Sequence, residues 1–371
     1  MLIFLYPALC SSLSIRHVTS LYVGFDDGVY MTTNLLHWHS DPPFGVSDIE
    51  PDAAGRYKPN AHNAMIREQA IRCCVRGCNN WLSRVHRGKT DPNVFCPAHG
   101  IRMSTRPTYV YRSNCKNKNL ILGRDFFRSI EKVESWRMGN ENSEDALSWN
   151  VCASFLKVGA LGELFKHLTG FPPAAYPTLY LWGNEVSPDR VVRCWPNLMA
   201  VRGELENDLP LPTEPDIALA VPGHAVVLVE AKFGSSNSTF KGKEDRFGGV
   251  QGYLKRYCVE PGLPDPLQRE EIARLEPQEI LQQLCRNAVF AARLTHRTKS
   301  SEAVVINLVR ATDEPHVEEQ MRRHVSEEVI TFRRRTWESV LDLAKSIGST
   351  LEPLRRYMEN KTYCLQRAFS L

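Results

Sequence analysis

Asp216, Glu230 and Lys232 are two acids and a lysine spaced so that they could work together on a metal-assisted reaction. They belong to the stretch EPDIALAVPGHAVVLVEAK (214–232). It holds two apolar runs, Asp216–Val221 and Ala225–Lys232, around a Pro222-Gly223-His224 turn signal. Side chains alternate faces along a strand, so Glu230 and Lys232 share one face while Val229 and Ala231 take the other. A three-residue turn pairs Val221 with Ala225 and sets Asp216 opposite Glu230; a two-residue loop would pair Asp216 with Ala231 instead. Facing carboxylates repel and weaken a sheet. A hard divalent cation such as Mg²⁺ takes carboxylate oxygens and removes that repulsion. Lys232 beside it could orient an attacking water or balance charge building on a phosphate. The plainer alternative is an ordinary hairpin with a solvated, charged end.

Pro215-Asp216, then strand, turn and strand, then Glu230-Ala231-Lys232 resembles the PD-(D/E)XK signature of the restriction-endonuclease-like nuclease superfamily. The resemblance implies an α/β fold with an αβββαβ core, a mixed sheet flanked by helices. It further implies Mg²⁺-dependent phosphodiester hydrolysis, with Asp216 and Glu230 on the metal, and an acid on the preceding helix. The helix NSEDALSWNVCASFLKV (142–158) has Asn142 or Ser143 as its cap and acids in its first turn. From Glu144, the apolar residues Leu147, Val151 and Val158 recur at helical spacing, so Glu144 projects toward the buried stripe. An acid there is costly unless paired or bound to a metal. Glu144 matches the helix acid of the family, with Glu163 as the alternative. Many members also carry a Gln on the helix after the E-x-K strand. Gln283, on the helix read over 280–294, fits that place, and Gln251 competes with it.

A second set of residues suits a different metal. Cys74-x3-Cys78 and Cys96-Pro97-Ala98-His99 form two ligand pairs at zinc-finger-like spacing, and three thiolates with one imidazole suit tetrahedral Zn²⁺. Cys73 can stand in for Cys74. The surrounding segment is strongly basic: from Arg67 to Arg128, 13 Arg and Lys stand against Glu68, Asp91 and Asp125, a local balance of +10 in a chain of net charge +4. So few apolar residues favour a metal as the staple of its core. Arg84, His86, Arg87 and Lys89, between the ligand pairs, form the expected phosphate-facing surface, with DNA as the expected partner.

These features order the chain as an N-terminal extension and linker (1–64), a basic zinc module (65–128) and a nuclease-like domain (129–371). The segment 40–60 reads as linker, 108–123 as a hairpin and 171–213 as Pro-rich with short extended pieces, of which Tyr176–Gly183 is the first strand. A polar, Gly-rich loop (234–249) follows the acidic hairpin. Further elements are the strand Ala303–Val309, the helix Trp337–Ile347 and a last helix, Leu354–Phe369. No apolar run approaches the roughly 18–20 residues of a membrane span. The opening MLIFLYPALC lacks the basic start of a secretory signal, and 11 cysteines with four crowded at 73–96 fit a reducing compartment, so a cytoplasmic protein is expected. There is no P-loop and no GxGxxG. Two further readings stand beside a DNA endonuclease: a non-cleaving nucleic-acid binder on the same fold, and an interaction protein in which the motif is coincidental. Duplex cleavage would favour a homodimer.

Overall fold

The computed structural model describes residues 36–55, 71–82, 95–104, 107–112, 117–124, 135–188, 194–209, 212–240, 247–258 and 262–370, which fall within one compact unit. The opening residues 1–35, the basic residues Arg84, His86, Arg87 and Lys89, and residues 241–246 of the polar loop lie outside the described residues.

Four short strands come first: β1 (Ile71–Arg72), β2 (Trp81–Leu82), β3 (Ile101–Met103) and β4 (Tyr109–Tyr111). They pair as two antiparallel hairpins, β1 with β2 and β3 with β4. Tyr109–Tyr111 therefore pairs back onto β3, whereas a hairpin within 108–123 was the expectation. Residues 44–54 pack here too: Ile49 bridges Val75 and the Glu50 amide donates to the Cys74 carbonyl at 2.9 Å. Ile49 and Ala53 are buried in the same cluster as the cysteines, so this stretch is built into the Cys/His unit despite its linker-like composition.

The body then runs α1 (Glu144–Lys157), α2 (Leu161–Thr169), β5 (Thr178–Leu181), β6 (Asn184–Val186), α3 (Pro196–Leu205), β7 (Ile217–Val221) and β8 (Ala225–Ala231). It continues with α4 (Gly249–Arg256), α5 (Arg269–Arg274), α6 (Gln282–Arg297), β9 (Glu302–Val309), α7 (Val317–Arg322), β10 (Thr331–Thr336), α8 (Trp337–Ile347) and α9 (Glu352–Asn360). A final hairpin joins β11 (Thr362–Tyr363) to β12 (Gln366–Arg367). The last helix thus stops at Asn360, short of the expected Phe369; Cys364 and Leu365 take positive φ (52° and 65°), which forms the turn of the hairpin. The Pro-rich stretch also holds a helix, α3, which opens on Pro196, a residue whose fixed φ suits a first helical position.

Six described strands form one mixed sheet in the order β10-β9-β8-β7-β5-β6, parallel from β10 to β8 and antiparallel from β8 to β6. β8 lies inside it and is buried at every position, because helices cover both faces. Val227 and Val229 pack with α1, α2, α8 and α9, while Val226 and Leu228 pack with α3 to α7. The hairpin has the three-residue turn: Val221 pairs with Ala225 and Ile217 with Val229. That register carries Asp216, just before β7, to the position opposite Glu230. No helix among the described residues is long and apolar enough to cross a membrane.

Candidate metal and acid centre

Glu230 ends the buried run of β8 and is itself only 3% exposed. A carboxylate this deep needs donors on both oxygens. Oε1 accepts from the Lys232 ammonium at 2.6 Å and from Gln283 Nε2 at 2.8 Å, and Oε2 accepts from Asn287 Nδ2 at 3.0 Å. Gln283 and Asn287 are four residues apart on α6, which puts both on the helix face turned to the sheet. Gln251 is exposed on α4. Gln283 is therefore the glutamine at this centre.

Asp216 is tied in by its Oδ2, which accepts the Ala231 amide at 2.9 Å. Burial raises its carboxyl well above the usual range, and the charges of Glu230, Glu144 and Asp145 push it the same way against Lys232. Glu144 comes from the N-terminus of α1, on the opposite face of the sheet, where Ser143 caps the helix by accepting the Ala146 amide at 3.1 Å. Its Oε2 accepts Ser235 Oγ at 3.0 Å and the Phe233 amide at 3.3 Å. Burial, then the charge of Asp145, raises the Glu144 carboxyl, with Lys232 opposing. Glu163 is exposed on α2. For Lys232, burial favours the neutral amine, but Glu230, Asp216 and Glu144 outweigh it and hold the ammonium above the ordinary lysine range. Lys232 is positioned by its own backbone: its amide donates to Leu308 at 2.8 Å and its carbonyl accepts Trp337 Nε1 at 3.0 Å.

The structure therefore gathers Asp216, Glu230, Lys232, Glu144 and Gln283 at one end of the sheet. It adds residues that the motif did not name. Asp145 accepts Trp182 Nε1 at 3.1 Å. Asn307, opposite Glu230 on β9, donates to Glu314 at 2.7 Å, and Glu314 also holds the amide and side chain of Asn237. The signals were present: Asn287 follows Gln283 at i+4, and Asn307 interrupts the apolar run AVVINLV. Glu230, Asp216 and Glu144 thus act on one buried lysine, and Asp145 acts on both Asp216 and Glu144.

The second group is Cys73, Cys78, Cys96 and His99, whose ligand atoms all lie within 4.8 Å of one another. Cys78 and Cys96 Sγ are 3.8 Å apart, and His99 Nδ1 is 3.4 Å from Cys96 and 3.6 Å from Cys73. A tetrahedral ion with metal–sulfur bonds of about 2.3 Å spaces two thiolates about 3.8 Å apart. This buried set can hold a metal ion such as zinc. Cys73 takes the place expected of Cys74. The Cys73 amide extends the β1–β2 pairing by donating to Asn80 at 3.0 Å, and the chain bends at Cys74, whose carbonyl accepts Glu50. The Cys74 thiol lies beside Cys73, but it is the Cys73 sulfur that gathers with Cys78, Cys96 and His99. Asn80 Nδ2 supports the ligands from outside, 3.5 Å from Cys78 Sγ and 3.4 Å from Cys96 Sγ.

No family model, curated protein or solved structure matches this chain, so its chemistry is read from the geometry of these two centres.

Two outcomes are expected. Cys73→Ser should lower the zinc content of the purified protein, while Cys74→Ser should leave it near one ion per chain; the reverse pattern would restore Cys74 as the ligand. At the acid centre, a folded-state pKa raised above the unfolded value means that the native state keeps a proton the unfolded chain has already released. In buffer free of divalent cations, the melting temperature should therefore fall as pH rises from the ordinary Asp range through the raised value of Asp216. Asp216→Asn should flatten that fall, although Glu144 still contributes with the same sign. Parallel pH curves for the two proteins would contradict the convergence of charge on Asp216.

Proposed function

We propose that this chain is a Mg²⁺-dependent endonuclease that hydrolyses phosphodiester bonds in DNA, with a Zn²⁺-stapled basic unit contacting the nucleic acid. The observation that carries the reading is the convergence of Glu230, Glu144 and Asp145 on Asp216 beside one buried lysine. Mutual repulsion at that level costs folding free energy, which a fold retains where a bound cation returns it. The order α1, β5, β7, β8, α6, β9 also follows the αβββαβ succession that the PD-(D/E)XK resemblance implies, with β6, α3 and further helices as additions.

On this reading Asp216 and Glu230 are the principal metal-facing carboxylates, and the lone pairs not used by their protein donors are the ones offered. A divalent cation held there would lower the pKa of an attacking water and polarise the phosphate. The chain supplies the rest. Glu144 would accept a proton from the water, its raised pKa bringing it closer to neutral pH, the range a general base needs. Lys232 keeps its proton, so its ammonium can stabilise charge building on the phosphoryl oxygens. Gln283 and Asn287 keep the Glu230 carboxylate from turning as charge shifts.

The test is nicking of supercoiled plasmid by the full chain with Mg²⁺ and with EDTA. Lys232→Gln preserves an N–H donor toward Glu230 and removes only the charge. It should slow nicking by roughly 10²–10³ while DNA affinity changes little, because phosphate contacts elsewhere dominate binding. A wild type that binds DNA with a steep salt dependence but never nicks it would leave the non-cleaving reading. A Lys232→Gln variant as fast as wild type would remove Lys232 from the chemistry.

A further inference from the structure

Glu144 accepts from two donors that flank Gly234, the Phe233 amide and the Ser235 hydroxyl. We propose that Tyr363, on the C-terminal hairpin of β11 and β12, is a positioning residue for Glu144. It fixes the Gly234 backbone between those two donors and so sets where the Glu144 carboxylate lies in the acid centre. Its effect on rate rests on the nuclease reading above; its hold on the segment does not.

The Tyr363 hydroxyl donates to the Gly234 carbonyl at 2.9 Å. Gly234 takes a φ of 85°, in the left-handed region that glycine enters freely, and a β-carbon there would overlap the Tyr363 ring. The ring therefore rests against the backbone that it bonds. Phe233 meets the same ring edge-on with centroids 5.4 Å apart, and Phe369 adds a further aromatic contact to Phe233 at 5.7 Å. The Arg310 guanidinium lies 4.6 Å from the centre of the Tyr363 ring and is itself fixed by Asp313, at 2.9 and 3.0 Å. Aromatic and cationic neighbours of this kind restrain a half-buried ring.

The same hairpin also holds the helix that carries Glu144. The Leu365 amide donates to Glu141 Oε1 at 2.8 Å, and the Lys361 ammonium, at the start of the hairpin, donates to the Glu141 carbonyl. Glu141 stands just ahead of Ser143, the cap of α1. The hairpin thus grips both halves of the Glu144 contact: the start of α1 through Glu141, and the segment after β8 through Tyr363. Removing the Tyr363 hydroxyl releases only the second half. In catalysis a misplacement of about 1 Å can cost about 10²-fold in rate, so a hydroxyl that touches no reacting atom can still govern one that does.

The experiment compares wild type with Tyr363→Phe, which removes the hydroxyl and keeps the ring. Hydrogen exchange of the full chain, read by mass spectrometry without Mg²⁺, should quicken about fivefold or more over residues 232–238, while α6 exchanges as in wild type. In plasmid nicking with Mg²⁺, Tyr363→Phe should lower kcat about fivefold or more and leave KM within about twofold. In a Glu144→Gln background, under single-turnover conditions, the same substitution should cost less than about twofold, because its effect passes through Glu144. Unchanged exchange over 232–238, exchange that rises equally in α6, or rate losses that multiply independently in the double variant would each overturn the proposal. If the wild type never nicks DNA, the nuclease reading fails, and the exchange result alone upholds or overturns the hold of Tyr363 on this segment.

Discussion

Mutual repulsion of carboxylates at one end of the central sheet is the constraint around which this structure is arranged. Asp216 and Glu230 reach the same level through the register of one hairpin, and Glu144 and Asp145 arrive from a helix on the other face. In water such charges would separate. Here β8 is buried along its length and cannot move, so the surroundings must hold the charges in place. Lys232, Gln283 and Asn287 do so for Glu230, the Ala231 amide for Asp216, and Trp182 for Asp145. Breaking a buried charge pair by deleting one partner typically costs about 3–5 kcal/mol. Lys232 is therefore a stabilising cation of the fold as well as a residue of the proposed chemistry.

The two faces of the sheet divide the labour. α6 carries the donors that orient Glu230, and α1 carries the acid that reaches over the end of β8. The segment after β8 closes the centre: Phe233 and Ser235 bond Glu144, Asn237 bonds Glu314, and the Ser238 amide donates to Gln283 at 3.3 Å. The acid centre is thus tied to the order of one short segment, because Glu144 and Gln283 each hold it while facing the centre.

How much of this was legible in sequence follows from the range of the interactions. The hairpin register was readable because it depends on a local turn and on alternation, both short-range. The start of α1 was readable from its cap, and the Trp337–Ile347 helix from its apolar spacing. The choice between Gln283 and Gln251 was open, since either helix could have faced Glu230 until the packing of α6 on β8 decided it. Cys73 and Cys74 are adjacent and chemically identical. Only the pairing of Cys73 with Asn80 and the bend at Cys74 distinguish them. Leu354–Phe369 looked like one helix by composition, but Lys361 and Leu365 are held by bonds to Glu141, more than 200 residues away in sequence. Long-range polar contacts of that kind leave no periodic trace.

The most direct test of the central claim is to count divalent cations at the acid centre. Calorimetric titration of Mg²⁺ into the zinc-loaded full chain should show one ion bound per chain. Asp216→Asn should weaken that binding at least tenfold, about 1.4 kcal/mol, with a circular dichroism spectrum like that of wild type. The account would be contradicted if no Mg²⁺ binds, or if Asp216→Asn binds it as tightly as wild type.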